Sequence, residues 1–149
     1  MNSKKKKINK ELIVKSSTDN LAEIRSFVKE AAFESGFSNE VVHKISLSVD
    51  EACTNVIKHA YKFSPERDIS IKTEFSNDKF IITITDSGDK FDPKLVPEPN
   101  LEEYHKQKKV GGLGMFLMKK LMDEVKYNTL SGNQNQVILV KYLAHSNAS

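Results

Sequence analysis

Glu51 and Asn55 stand four residues apart in a stretch whose apolar residues, Val41, Val42, Ile45, Val49, Ala52, Cys53, Val56 and Ala60, recur at helical spacing. Helix residues i and i+4 stack on one face. At about 100° per residue this pair lies beside the apolar stripe, not within it. A carboxylate there can take the proton of an attacking hydroxyl or water. The amide oxygen can join phosphate oxygens around Mg²⁺, a hard cation that retains waters and takes few protein ligands. Further on, Asp86 ends an apolar run and is followed by Ser87-Gly88. A carboxylate at a strand end can accept from an exocyclic amine such as that of adenine, and a glycine beside it lets a base approach the backbone. Gly111-Gly112-Leu113-Gly114 leads into another helical pattern, and helix N-terminal amides hold phosphates. Lys106, Lys108 and Lys109 precede it and can neutralise phosphate charge. Each motif alone has a plainer reading: a solvated Glu and Asn, a common turn, a hinge, a solvated charge run. Together they supply a base, a metal-binding amide, an adenine acceptor and a phosphate cradle, the parts of an ATP site that moves a phosphoryl group. Neither a P-loop nor a G-x-G-x-x-G fingerprint is present to explain the glycines.

Several elements must hold these groups. A first strand is expected from about Glu11 to Val14. Thr18-Asp19-Asn20 offers N-caps, with Glu23 completing a capping box. A helix bearing Leu21, Ile24, Phe27, Val28, Ala31 and Ala32 then stops at Gly36. Ser38 caps a second helix reaching about Tyr61, with Pro65 beyond its end. Strands follow at Ile69–Phe75 and Phe80–Thr85 about a Ser76-Asn77-Asp78 turn. The stretch from Ser87 to Val110, with Pro93, Pro97 and Pro99, reads as a long functional loop. A third helix is expected from about Gly114 to Glu124, with Leu113, Leu117 and Leu121 on one face. A hairpin closes the chain, with strands near Val125–Leu130 and Val137–Leu143 and a turn at Ser131-Gly132-Asn133. Helices that do not alternate regularly with a largely antiparallel sheet indicate an α+β, two-layer α/β sandwich. Cys53, Met115, Met118 and Met122 read as packing residues and His59 as a polar bracket at the helix end, while His43, His105 and His145 define no metal spacing.

Composition narrows the function classes. The 149 residues fit one domain, expected over 11–145. The formal charge is +3, and Lys4, Lys5, Lys6 and Lys7 more than account for it, leaving a nearly neutral body. Residues 1–10 therefore read as a disordered basic tail, and no direct nucleic-acid role is expected. No apolar run is long enough to span a membrane, and no apolar signal segment follows the basic start. One cysteine cannot form an internal disulfide, and a cytoplasmic location is the simplest expectation.

Glu51-Ala52-Cys53-Thr54-Asn55 followed by Lys58-His59-Ala60-Tyr61 resembles the N-box of the GHKL ATPase superfamily. Asp86-Ser87-Gly88 with Phe91-Asp92-Pro93 is similar to its first glycine box. Gly111-Gly112-Leu113-Gly114-Met115, with Leu117 and Leu121 to Glu124 after it, is similar to the second. The form is closest to bacterial anti-sigma-factor serine kinases, over about Leu12 to Leu143. The resemblance implies a Bergerat-type fold with a mixed, largely antiparallel sheet, binding ATP or ADP with Mg²⁺ between helices and sheet. It assigns the base to Glu51, the Mg²⁺ ligand to Asn55 and the adenine acceptor to Asp86. It places Lys58, His59, Gly88, Phe91, Lys108, Lys109 and Gly111 to Met115 around the nucleotide, with an ATP lid at about 94–110. It implies a substrate serine on a STAS-type anti-sigma-factor antagonist, sequestration of a sigma factor, and a homodimer. It also marks Arg25, on the first helix, as a partner contact. The sequence departs from the pattern at Asp89-Lys90, where a second glycine is frequent. It departs again at Gln136-Val137, where a threonine is frequent. Two other readings stay open: an ATP-binding regulatory module with little turnover, and a detached histidine-kinase-like catalytic domain.

Overall fold

The computed structural model describes residues 6–88, 112–130 and 133–144. Five strands form one sheet: β1 (Ile8–Lys15), β2 (Asp68–Ser76), β3 (Lys79–Asp86), β4 (Glu124–Leu130) and β5 (Gln134–Tyr142). Their order is β1-β2-β3-β5-β4. Every pairing is antiparallel, so the parallel component of a mixed sheet is absent among the described residues. Three helices, α1 (Leu21–Ser35), α2 (Asn39–Asn55) and α3 (Gly112–Leu121), accompany it. α2 packs between α1 and α3 and also meets β3 and β5, which makes it the central element of the helical layer.

Period-2 alternation builds the interface between the layers. Phe80, Ile82 and Ile84 of β3 are fully buried, as are Ile69 and Ile71 of β2 and Leu139 of β5. They meet Val42, Ile45, Val49, Ala52 and Cys53 of α2 and Ile24, Val28, Ala31 and Ala32 of α1 in one core. The β2–β3 turn places Asn77 (φ 51°) and Asp78 (φ 63°) in the left-handed region, the chemistry of a tight hairpin. Gly36 (φ 106°) ends α1, as its lack of a Cβ allows. Ser38 caps α2 by accepting from the Val41 N–H at 3.3 Å.

Four expectations need correction. β1 begins at Ile8, not near Glu11, so Ile8 to Lys10 belong to the sheet and not to a disordered tail. Ile8 is buried, Lys10 pairs with Glu34 at 2.7 Å, and Lys6 Nζ donates to the Glu34 carbonyl at 2.5 Å. Helix α1 has no basic residue in its last turn, and these lysines supply positive charge at that end. The capping box is not made either. Asn20 turns its amide to the Lys15 carbonyl at 2.9 Å, and Ser17 caps a short 3-10 turn at Thr18–Asn20 instead. Helix α3 starts at Gly112, two residues before the expected Gly114, and ends at Leu121. Among its described side chains the buried one is Met118, followed just past its end by buried Met122, whereas Leu117 is 37% exposed.

Candidate functional site

The face of α2 that carries Glu51 and Asn55 stands beside its buried stripe, and both residues are half-buried. Burial is the main cause that raises the Glu51 pKa above the usual carboxylate range. The neighbouring Asp50 charge adds to the rise, and Lys58 opposes it. A carboxyl shifted upward is a stronger proton acceptor once ionised. After Asn55 the helix widens into a π turn, Val56–Ala60, in which the Tyr61 N–H reaches the Val56 carbonyl at 2.8 Å. Such π turns are rare and are frequent at functional sites. Asn55 makes no side-chain capping bond at this junction. Lys62 (φ 47°) and Phe63 (φ 64°) follow in the left-handed region, where non-glycine residues are uncommon, and end the segment.

Alternation along β3 places Asp86 on the same face as Phe80, Ile82 and Ile84, turned toward the helices and 6% exposed. Its Oδ1 accepts from the Gly88 N–H at 2.9 Å and from Asn135 Nδ2 at 3.0 Å. Asn135 also donates to the Gly88 carbonyl at 3.2 Å. The closest neighbour of Gly88 is the end of the π turn: a Cβ on Gly88 would lie 2.4 Å from the Ala60 carbonyl oxygen. The glycine thus lets backbone meet backbone. It joins the π turn that follows Glu51 and Asn55 to the Asp86 turn.

Tyr61 makes a second tie between the two motifs. Its hydroxyl accepts from the Ser87 N–H at 2.7 Å and donates to the Asp68 carbonyl at 2.5 Å. Burial raises its pKa, so the phenol retains the proton it donates. Arg67 stacks over the Tyr61 ring at 4.8 Å and donates to the Ser87 carbonyl at 2.9 Å. Buried Ser16 in turn accepts from the Arg67 N–H at 3.0 Å and donates to the Ser64 carbonyl at 2.5 Å.

The π turn that continues the Glu51–Asn55 helix is therefore held against the Asp86–Gly88 turn. Lys58 is half-buried on the π turn and His59 is exposed there. The backbone of Gly112, Leu113, Gly114 and Met115 forms the start of α3, which packs on α2. Phe91, Lys108, Lys109, Gly111 and the lid at about 94–110 lie outside the described residues. Arg25 donates to Asp50 Oδ1 at 2.7 Å, linking α1 to the residue before Glu51. Cys53 is fully buried in the core. Sequence reasoning missed Asn135, the π turn and the Tyr61–Arg67–Ser16 chain. Counting back by two from Leu139 and Val137 puts Asn135 on the core-facing row, and a polar residue on that row was the available signal. No motif marks the π turn or the Arg67 stack.

Among the described residues no cluster of three or more His, Cys, Asp or Glu side chains could hold a metal by itself. One amide oxygen at Asn55 without a carboxylate cage suits a cation that completes its shell with phosphate oxygens and water. Among the described residues no helix is long and apolar enough to cross a membrane.

Residues 14–141 match the histidine kinase-like ATPase domain. The chain is 34% identical over 113 residues to the serine-protein kinase RsbW of Bacillus licheniformis, covering 73% of this chain and 71% of that one. It is 32% identical over 128 residues to the serine-protein kinase RsbW of Bacillus subtilis strain 168, covering 80% and 76%. The crystal structure of the RsbU and RsbW domains of a Mycobacterium tuberculosis protein superposes with a TM-score of 0.67 at 13% identity. That match covers 93% of this chain and only 33% of the other, and it speaks to the fold alone. The chain belongs to the histidine kinase-like ATPase domain family and, within it, stands with the RsbW-type ATP-dependent serine-protein kinases.

Proposed function

We propose that this protein transfers the γ-phosphate of ATP to a serine of a STAS-type anti-sigma-factor antagonist, and that it sequesters a sigma factor until unphosphorylated antagonist displaces it. The observation that carries the reading is the junction of the two motifs: the π turn that continues the Glu51–Asn55 helix meets the Asp86 turn where Gly88 packs on Ala60, and Glu51 on that helix is half-buried with a raised pKa. Binding alone needs no base, whereas phosphoryl transfer to a hydroxyl gains from one.

In this reading Asp86 accepts the adenine amine, and the backbone at Gly112 to Met115 supports the phosphates at a helix N-terminus. Lys58, His59, Gly88, Phe91, Lys108, Lys109 and Gly111 complete the surroundings of the nucleotide. Asn55 would hold Mg²⁺, which, when bound, neutralises charge developing on the transferred phosphoryl group. Glu51 takes the serine hydroxyl proton as the oxygen attacks. Lys58 opposes the rise in the Glu51 pKa and so favours the ionised carboxylate. Arg25 presents α1 to a partner. Homodimerisation through the sheet face opposite the helices is consistent with Ile13, which is 59% exposed. A buried free thiol fits a cytoplasmic location.

The test is incubation of the purified protein with ATP, Mg²⁺ and STAS-domain proteins from the same genome, followed by phosphosite mapping. Phosphoserine on one of them supports the reading; ATP binding without transfer to any of them contradicts it.

A further inference from the structure

Asp86 and Asn135 form the last register pair between β3 and β5, and both lie on the helix-facing side of the sheet. Their rows are otherwise apolar: Phe80, Ile82 and Ile84 lead to Asp86, and Leu139 and Val137 lead to Asn135. A carboxamide on such a row is costly to bury unless its protons find acceptors. Here they do. Nδ2 gives one proton to Asp86 Oδ1 at 3.0 Å and the other to the Gly88 carbonyl at 3.2 Å. The Gly88 N–H meets the same Oδ1 at 2.9 Å. A carboxylate oxygen has two lone-pair positions, and both on Oδ1 are engaged. The carboxylate is therefore fixed against rotation about its Cβ–Cγ bond, and Oδ2 points in one direction. Asn135 also ties the two ends of the Asp86–Gly88 turn, so it sets the backbone as well as the rotor.

We propose that Asn135 is a selectivity-determining positioning residue: by pinning Asp86 Oδ1 and the Gly88 carbonyl, it presents Asp86 Oδ2 as an acceptor that favours a 6-amino purine over a 6-oxo purine. This rests on the reading of Asp86 as the adenine acceptor. Adenine offers a donor at position 6, whereas hypoxanthine offers a carbonyl oxygen. An oxygen facing a fixed carboxylate is repelled and leaves a buried acceptor unpaired. A carboxylate free to rotate can turn away from the clash, and discrimination falls. Asn135 touches the carboxylate and the turn, not the base.

The test is calorimetric binding of ADP and IDP with Mg²⁺ to wild type, Asp86→Ala and Asn135→Leu. Leucine matches asparagine in shape and removes both donors. Loss of a hydrogen bond to a charged group lowers the ADP:IDP affinity ratio by about tenfold or more in each variant. A merely structural role for Asn135 would weaken both nucleotides alike and leave the ratio unchanged, which overturns the proposal. An unchanged ratio in Asp86→Ala overturns the underlying reading of Asp86 instead, so the two failures are distinguishable. If Asn135→Leu gives no cooperative melt, Asn135→Ala is measured in its place, with the same expected loss of ratio and the same overturning result.

Discussion

Replacing Gly88 with alanine tests how the two motifs are joined. Gly88 does not lie in the left-handed region, so the cost is one of space and not of backbone conformation. The added Cβ would lie 2.4 Å from the Ala60 carbonyl oxygen, 2.6 Å from its carbonyl carbon and 2.8 Å from its Cβ. Two of these three contacts are backbone atoms at the end of the π turn and cannot rotate away. Overpacking typically costs 1–3 kcal/mol, and a backbone obstacle places this case at about 2–3 kcal/mol. For a chain of this size that lowers the melting temperature by roughly 4–12 °C. Separation of the segments also weakens the 2.9 Å bond from the Gly88 N–H to Asp86 Oδ1. ADP affinity should then fall by about tenfold, the scale of one hydrogen bond to a charged group. Thermal melts without nucleotide and calorimetry with ADP read the two effects separately. Adding Ala60→Gly relieves only the Cβ contact, so the double variant should recover little of the loss. A Gly88→Ala protein that melts within about 1 °C of wild type and binds ADP equally well would refute the close-packed junction.

Other variants address single groups. Asp86→Ala should weaken ADP by about 1.5–3 kcal/mol, read by calorimetry. The raised Glu51 pKa means that the folded state holds this proton to higher pH than the unfolded chain does, so ionising Glu51 destabilises the fold. That penalty is absent below the unfolded carboxyl pKa and complete above the folded one. Melts of Glu51→Gln should therefore match wild type near pH 3.5 and lie at or above it at pH 7. The same shift moves the acid limb of the kinase pH profile above that of an ordinary carboxylate, and Lys58→Ala should move it higher still. Arg25 and Asp50 remain 41% and 29% exposed, so their 2.7 Å pair contributes at most about 1 kcal/mol. Arg25→Ala should leave the melting temperature within about 4 °C while lowering affinity for the partner, as measured by titration.

The elements and their order were legible in the sequence because hydrophobic periodicity is strong where one face is buried. The α2 stripe, the alternation of β2 and β3 and the Ser38 cap appear where the pattern puts them. Legibility fell where long-range partners override local chemistry. Lys10 looked like tail until Glu34, 24 residues away, supplied its partner. Asn20 looked like a cap, but β1 offered its Lys15 carbonyl. Leu117 and Met118 are adjacent, and the choice of the buried one depends on where α3 begins, which a glycine run does not fix. Within the site, Asp86 was visible from its strand end. Asn135 was not, because its role needs the β3–β5 register. Gly88 was visible as a glycine, but its neighbour, Ala60, lies 28 residues back and emerges only from the packing of the π turn on the turn after β3.

The most direct test of the central claim is a single-turnover phosphotransfer assay with radiolabelled ATP, Mg²⁺ and the STAS-domain substrate, wild type beside Glu51→Ala. Loss of a general base lowers the rate by about 10²–10⁴-fold while nucleotide affinity stays largely intact. The account predicts acid-stable label on the substrate with wild type and almost none with the variant. Equal transfer rates from the two proteins would remove Glu51 from the reaction and contradict the mechanism built on it.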